Sequence, residues 1–280
     1  MKNILIPINF KSNSHDAINY AVNFFQQEKC NFFLLNTFSY ESVGMNAIHL
    51  LHSDDDWFTT PKCDSEISLG RVIQKYTINS ENDKHRFNAI SECSDLIEGI
   101  KKAIKEINID MVIIPGQKQI GRASDKYSRN TKRILENIRE CPVMIIPSSA
   151  QLQLNPEFVL VSSFEDKLPF LELENWYELV QIVKGNVKII ALSAKDNMTD
   201  NQKSNRNHLL SLLEILSKNS VSIEYLETSQ DLRNFANYHS DYIICLIDRK
   251  PDFWRKFGLT NSQVTNLGPL KRTPLIALHH

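Results

Sequence analysis

Glycine and positive charge concentrate between Gly116 and Arg133. Gly116 and Gly121 stand among Lys118, Arg122, Lys126, Arg129, Lys132 and Arg133, with Asp125 as the one acid. Glycines let backbone N–H groups come close to oxygen atoms and the cations add a favourable field, so this composition suits the holding of phosphate or another anion. A solvated basic loop without a ligand has the same composition, and glycine placement separates the two. His49-x-x-His52 followed by Asp54, Asp55 and Asp56 could gather a metal on one helical turn. A helix end running into a solvated acidic turn is the commoner origin of such a run, because metal binding needs a geometry that spacing does not supply. Phe253, Trp254 and Phe257 fill a core or anchor a partner, core filling being the more usual. Asp231, Arg233, Asp248 and Arg249 read as surface charge. The chain has no nucleophile elbow, no GxxxxGK[ST], no HExxH and no paired-carboxylate spacing, so no enzymatic activity is expected.

The basic stretch is framed by two apolar runs. Met111–Ile114 stops at Pro115-Gly116, the loop Gln117–Arg129 follows, and a helix opens near Asn130 with Ile134, Leu135 and Ile138 on one face. Glu140-Cys141-Pro142 ends that helix and Val143–Ile146 is the second run. Two runs joined by a helical crossover predict parallel strands covered on both faces. A loop that leaves a strand's carboxyl end and feeds a helix N-terminus is where α/β proteins hold phosphates. Upstream, Asn3–Pro7 predicts a strand that exits through Ile8-Asn9-Phe10. Ser12 or Ser14 caps a helix with Ala17, Ile18, Ala21, Val22 and Phe25 inward. Asn31–Thr37 and Phe87–Ser91 predict two more strands. After Ser94-Asp95 a helix turns Ile97, Ile100, Ile104 and Ile107 inward, with Lys101, Lys102 and Lys105 near its negative end. Tyr40–Asp83 reads as an irregular segment followed by a helix through Ile67–Tyr76. Its length predicts a mobile flap, cut most easily by proteases at Asp54–Lys62.

These residues resemble a universal stress protein domain. That family's loop carries Gly, two residues, Gly, nine residues, Gly, then Ser or Thr. Gly116 matches the first glycine and Gln119 stands at the second. With one residue deleted from the loop, Ser128-Arg129-Asn130-Thr131 falls on the family's Gly-Ser-Asn-Thr. Cys141-Pro142-Val143 matches the Cys-Pro-Val of the last strand, and Ile4-Leu5-Ile6-Pro7-Ile8-Asn9-Phe10 is similar to the first strand and its Pro-Thr-Asp-Phe exit. The resemblance implies a ligand site of Pro7, Ile8, Asn9, Gly116, Gln119, Gly121, Ser128, Arg129, Asn130 and Thr131. Asn9 replaces the aspartate that hydrogen-bonds adenine in the family, which keeps an acceptor and loses its charge. Gln119 and Ser128 add side chains where the family has none, with expected backbone strain at positions that favour glycine.

The chain has 280 residues, 42% hydrophobic and 23% charged, with a formal net charge of -1. That suits two soluble domains and gives no general attraction to nucleic acid or a membrane surface. Met1-Lys2 leads straight into a strand with no signal-peptide h-region, and no apolar run is long enough to span a bilayer. Cys30, Cys63, Cys93, Cys141 and Cys245 are scattered without a CxxC, as expected of reduced thiols in a cytosol.

A second copy of the frame follows. Phe158–Val161 with Ser162-Ser163-Phe164 repeats Ile4–Phe10. Asp241–Leu246 repeats Asp110–Pro115, and Thr273-Pro274-Leu275 repeats Cys141-Pro142-Val143. From Asp to Pro is 32 residues in the first copy (Asp110 to Pro142) and 33 in the second (Asp241 to Pro274), which is the mark of a tandem repeat. The second copy predicts strands at Val187–Leu192 and Val221–Leu226 and helices at Pro169–Val183, Asn207–Lys218 and Gln230–Tyr238. It is shorter than the first, the difference being assigned to Tyr40–Asp83. Its phosphate loop is gone, with Gly258 and Gly268 at the wrong spacing.

The fold expected is α/β: two tandem open five-stranded parallel sheets flanked by helices, of the adenine nucleotide alpha-hydrolase-like, universal stress protein type. Domains are expected over 1–148 and 157–280, with a polar linker over 149–156, the two pairing as an intrachain pseudo-dimer through Val143–Ile146 and Leu275–Leu278. The function implied by the resemblance is a cytosolic, non-catalytic stress-response binding or signalling module. No cofactor is expected beyond weakly bound ATP, and the expected partners are an unknown protein and a second copy of the chain. The alternative is an ATP binder with slow ATPase or phosphotransfer activity in the first domain.

Overall fold

Among the described residues, ten strands form one continuous sheet in the order β3-β2-β1-β4-β5-β10-β9-β6-β7-β8. The computed structural model describes residues 1–39, 56–79, 82–116, 126–192, 198–248 and 267–279. In chain order the strands are β1 (Lys2–Pro7), β2 (Cys30–Phe38), β3 (His85–Cys93), β4 (Met111–Pro115), β5 (Val143–Ile146), β6 (Glu157–Ser162), β7 (Asn186–Leu192), β8 (Ser222–Leu226), β9 (Tyr242–Asp248) and β10 (Leu275–His279). The helices among the described residues are α1 (Ser12–Phe24), α2 (Asp56–Asn79), α3 (Leu96–Ile107), α4 (Arg129–Asn137), α5 (Phe170–Ile182), α6 (Asp200–Ser217) and α7 (Ser229–Tyr238). Each half is a five-stranded parallel sheet whose first strand lies third from its outer edge. The halves join where β5 and β10 pair antiparallel, Ile276 opposite Met144 and Ala277 opposite Val143.

The central strands are apolar through their middles because both faces are covered, whereas the edge strands β3 and β8 carry polar residues such as Arg86, Asn88, Ser222 and Glu224. Ile4 and Ile6 face one core layer and Leu5 the other; Phe158 and Leu160 repeat this against Val159 and Val161. The first layer lies under α1, α2, α5 and α6 and runs through both halves. The second lies under α3, α4 and α7. Residues 147–156 carry neither helix nor strand.

Two helices begin earlier than their apolar spacing predicts. α2 starts at Asp56, with Pro61 inside it, and packs on β2 and β3. Leu69, Val72 and Tyr76 enter the core, and Ser91 Oγ donates to Ser65 Oγ at 2.8 Å. The segment expected as a flap is therefore helical from Asp56 onward and enters the core from Ser65 on, while the cut expected at Asp54–Lys62 falls mainly on its first turns. Residues 40–55 and 80–81 lie outside the described residues. In the second half α6 connects β7 to β8 as α2 connects β2 to β3, so the shorter second copy keeps this helix. α6 begins at Asp200 rather than Asn207 because Thr199 and Gln202 form a capping box, which satisfies the first helical N–H groups without any apolar residue.

Candidate functional site

The chain runs β1 to β2 to β3 in one direction along the sheet and then crosses to β4 and β5 on the other side of β1. The strand order therefore reverses between β1 and β4, and a crevice opens above their carboxyl ends, where open α/β sheets bind ligands. It holds about 600 Å³. Pro7, Ile8 and Asn9 line one wall, Ser128, Asn130 and Thr131 the facing wall, and Lys11, Asn13, Asn36 and Thr37 close the ends. The first turns of α1 and α4 both reach this cleft through Ser12 and Asn130, so two positive helix ends meet there. Among the described residues lining it none is Asp, Glu, His or Cys.

Asn9 is exposed and its side chain is already committed. Ser14 Oγ donates to Asn9 Oδ1 at 2.9 Å, and the Lys11 backbone N–H donates to the same oxygen at 3.2 Å. A backbone N–H can only donate, which fixes the amide orientation. A carbonyl oxygen has two lone pairs, and both are in use. Asn9 therefore offers a ligand its Nδ2 donor, and the acceptor expected from sequence is not available. This turn follows from Phe10, whose φ is 60° and which brings Lys11 N back over Asn9.

Gly116 is explained by packing. Its N–H donates to Ile146 O at 2.6 Å, and a Cβ at this position would lie 3.0 Å from both Ile146 O and Pro147 Cα. The close approach of the β4 and β5 exits favours glycine here whatever the cleft holds. Asn13 Nδ2 donates to Gly116 O at 3.3 Å and ties α1 to the start of the loop.

Ser128 corrects the expectation of strain. Its φ is -59° and ψ 156°, ordinary extended backbone, and Ser128 Oγ accepts from Thr131 N at 3.2 Å as the N-cap of α4. Serine is among the best N-caps, so its side chain stabilises the helix that forms the cleft wall. Arg129 is exposed and is not among the lining residues. Lys132 lies 3.6 Å from Glu136, and Arg133 2.7 Å from Asp95, so part of the basic charge is met by neighbouring acids. Gln119, Gly121, Lys118, Arg122 and Asp125 lie outside the described residues, as do His49, His52, Asp54, Asp55, Arg249, Phe253, Trp254 and Phe257. Among the described residues no group of His, Cys, Asp or Glu could hold a metal ion.

Spacing missed several residues that shape the cleft. Asn36 Nδ2 donates to Ile8 O at 3.1 Å, and Thr37 presses on α3 at Gly99, where an added Cβ would be 2.8 Å from Thr37 Cγ2. Both follow the apolar stretch of β2, the one signal that could have marked them. In the second half Asn205 Nδ2 donates to Phe164 O at 2.9 Å, and Gln202 Nε2 to Ser163 O at 3.1 Å. Side chains of α6 therefore hold the strand exit that corresponds to Asn9 and Phe10. Asp231 and Arg233, expected as surface charge, are structural: Asp231 completes the capping box of α7 with Thr228, and Arg233 Nε donates to Leu267 O at 2.9 Å.

A universal stress protein from Archaeoglobus fulgidus superposes on 99% of this chain and 98% of its own, with a TM-score of 0.71 at 14% identity. The chain has the universal stress protein fold. A putative universal stress protein from Pseudomonas aeruginosa shares that fold over 100% of this chain and 93% of its own, with a TM-score of 0.64 and 10% identity. The cytoplasmic domain of a prokaryotic cation chloride cotransporter also matches over 99% of this chain and 94% of its own, at a TM-score of 0.54 and 12% identity. No protein-family model matches the sequence, and no curated protein matches it. Among the described residues no helix is long and apolar enough to cross a membrane.

Proposed function

We propose that this protein is a cytosolic member of the universal stress family that works as a non-catalytic binding or signalling module, with nucleotide binding lost or weak. The observation that carries this reading is the committed oxygen of Asn9. A ligand amino group that sought it would have to displace Ser14 Oγ or Lys11 N–H, each a net loss of about 0.5–1.5 kcal/mol. The partner is an unidentified protein, and whole chains are expected to dimerise.

The runner-up, an ATP binder with slow ATPase or phosphotransfer activity, draws on one feature: Lys11 and two helix N-termini at the same cleft would favour phosphate. Calorimetry with ATP and native mass spectrometry of freshly purified protein separate the two. The expected result is no co-purified nucleotide, no micromolar affinity and no hydrolysis above background. Gly116→Val is a poor control, since it would clash with Ile146 and Pro147. Asn130→Asp is a better one: a carboxylate in the first turn of α4 suits the helix dipole but repels phosphate. Micromolar ATP affinity that disappears in Asn130→Asp, with unchanged thermal stability, would establish the runner-up.

A further inference from the structure

Among the described residues the sheet ends in two edge strands, β3 in the first half and β8 in the second. β3 is the longer, nine residues over His85–Cys93, and it carries neither the proline nor the lysine that commonly blunts an exposed edge. Its parallel ladder with β2 sets Cys30 beside His85 and Phe32 beside Phe87, and Cys30 N–H donates to Lys84 O at 3.0 Å. Alternate residues carry the bonds of such a ladder, so Arg86, Asn88, Ile90 and Glu92 turn their N–H and C=O groups toward β2. Phe87, Ala89 and Ser91 turn theirs outward. Among the described residues these outward backbone groups meet no partner.

A second, antiparallel β3 overlaps the whole strand only when Ala89 sits on the two-fold axis. In that register Ala89 meets Ala89 of the second copy and Phe87 meets its Ser91, as narrow pairs that exchange N–H···O=C bonds. Arg86 then lies opposite Glu92 of the second copy, in a non-hydrogen-bonded pair, where side chains come closest. Arg86 is exposed and makes no ion pair among the described residues. Glu92 takes Lys102 Nζ at 3.0 and 2.9 Å, which uses two of the about four lone-pair sites of a carboxylate and leaves room for a guanidinium. β8 is the opposite case. Full overlap of two Ser222–Leu226 strands sets Glu224 against Glu224, each already held by Lys188 at 2.7 Å, and like charges directly opposite disfavour the pair. A contact of β3 with β8 would leave an edge open at each end and grow without closing, whereas β3 with β3 closes on itself.

We infer that β3 is the surface through which two copies of this chain join, edge to edge and antiparallel about Ala89, so that one sheet runs through both molecules. This rests on the dimerisation proposed above and names its interface. The backbone supplies the attraction, by pairing N–H and C=O groups that otherwise face water, and the Arg86 and Glu92 pair at each end fixes the register. The same kind of antiparallel pairing already joins the two halves within the chain, at β5 and β10.

Sedimentation equilibrium of the full chain up to about 100 μM reads the balance of monomer and dimer. The parent is expected to dimerise in this range. Ala89→Pro removes an outward N–H and spares the ladder to β2, since an edge strand tolerates proline where its N–H faces solvent; it should leave only monomer. Arg86→Glu, a surface change in the monomer, should raise the dissociation constant at least about tenfold and leave thermal unfolding of the monomer unchanged. Ala89→Cys reads the register, in a chain that also carries Cys63→Ser and Cys93→Ser. The Cα atoms of a narrow pair stand about 5.5 Å apart, within the span of a disulfide, so mild oxidation should link two copies through the new thiol. A dimer that survives Arg86→Glu or Ala89→Pro unweakened, or that forms no such cross-link, overturns the β3 interface and leaves dimerisation itself standing. A parent chain that stays monomeric up to about 100 μM overturns both.

Discussion

Phe10 and Phe164 hold left-handed backbone, φ 60° and 55°, at equivalent strand exits of the two halves. For a residue with a Cβ this conformation costs roughly 1–2 kcal/mol. Phe164 is 1% exposed; its N–H donates to Ser162 Oγ at 3.1 Å and its carbonyl accepts from Asn205, so packing and hydrogen bonds hold the strain. Phe164→Ala should lose about 3–5 kcal/mol of stability, since truncation opens a cavity while the strain remains. Phe164→Gly removes the same ring and relieves the strain, so it should be the less destabilised by about 1 kcal/mol. Urea melts of the two variants decide it, and the ordinary order, alanine above glycine, would reject the strain. Thiols give a second check. Burial pushes Cys30, Cys141 and Cys245 each up to about 12, while Cys63 and Cys93 are exposed. Ellman's reagent should titrate two thiols quickly in native protein at mildly alkaline pH and the other three only on denaturation. The repeat of Ile8-Asn9-Phe10 in Ser162-Ser163-Phe164 is legible from residue types. The turn that consumes Asn9 Oδ1 is not, because it depends on the φ of the following phenylalanine.

The central strands are the most legible elements, because burial on both faces writes them as apolar runs, while the edge strands β3 and β8 mix polar residues into theirs. Helix starts are the least legible. Asp200–Arg206 is polar throughout and Pro61 reads as a breaker, yet both segments are helical, one through its capping box and one through packing of Leu69 and Val72 further along. Asp95 shows how a cap works across elements. Its carboxyl is held below the usual range by Arg133 first and by the N–H of Ile97 second, so one side chain caps α3 and ties it to α4. A carboxyl lowered in the folded state adds stability above its unfolded value, and this is lost as pH falls through the folded value. Asp95→Asn keeps a good cap and removes the charge. The variant should be less stable than the parent at neutral pH, and the difference should vanish as the medium becomes acid enough to protonate Asp95. Thermal melts from neutral pH downward measure this; a gap independent of pH would mean that Arg133 contributes nothing through charge.

At the scale of the molecule, the question is whether the halves fold alone. An aromatic chain crosses their junction on the α1 and α5 side of the sheet. Phe24 lies 4.9 Å from Phe25 and 6.3 Å from Phe158 of the second half, which in turn lies 6.4 Å from Trp176. All four are at most 1% exposed, and all four belong to one core layer. Separating the halves would bare these rings and unpair the edges of β5 and β10, a loss of apolar burial worth roughly 1.5–3 kcal/mol per side chain. That is large against the 5–15 kcal/mol that usually holds a folded domain together. The full chain should therefore unfold in one transition, with fluorescence and circular dichroism curves coincident. A double-mutant cycle with Phe24→Leu and Phe158→Leu tests the seam directly. Edge-to-face ring pairs couple by about 0.5–1.5 kcal/mol beyond their burial, whereas sites without shared partners add within about 0.5 kcal/mol. Two resolved transitions, or additive effects of these two substitutions, would mean that the halves are independent units that merely touch through β5 and β10.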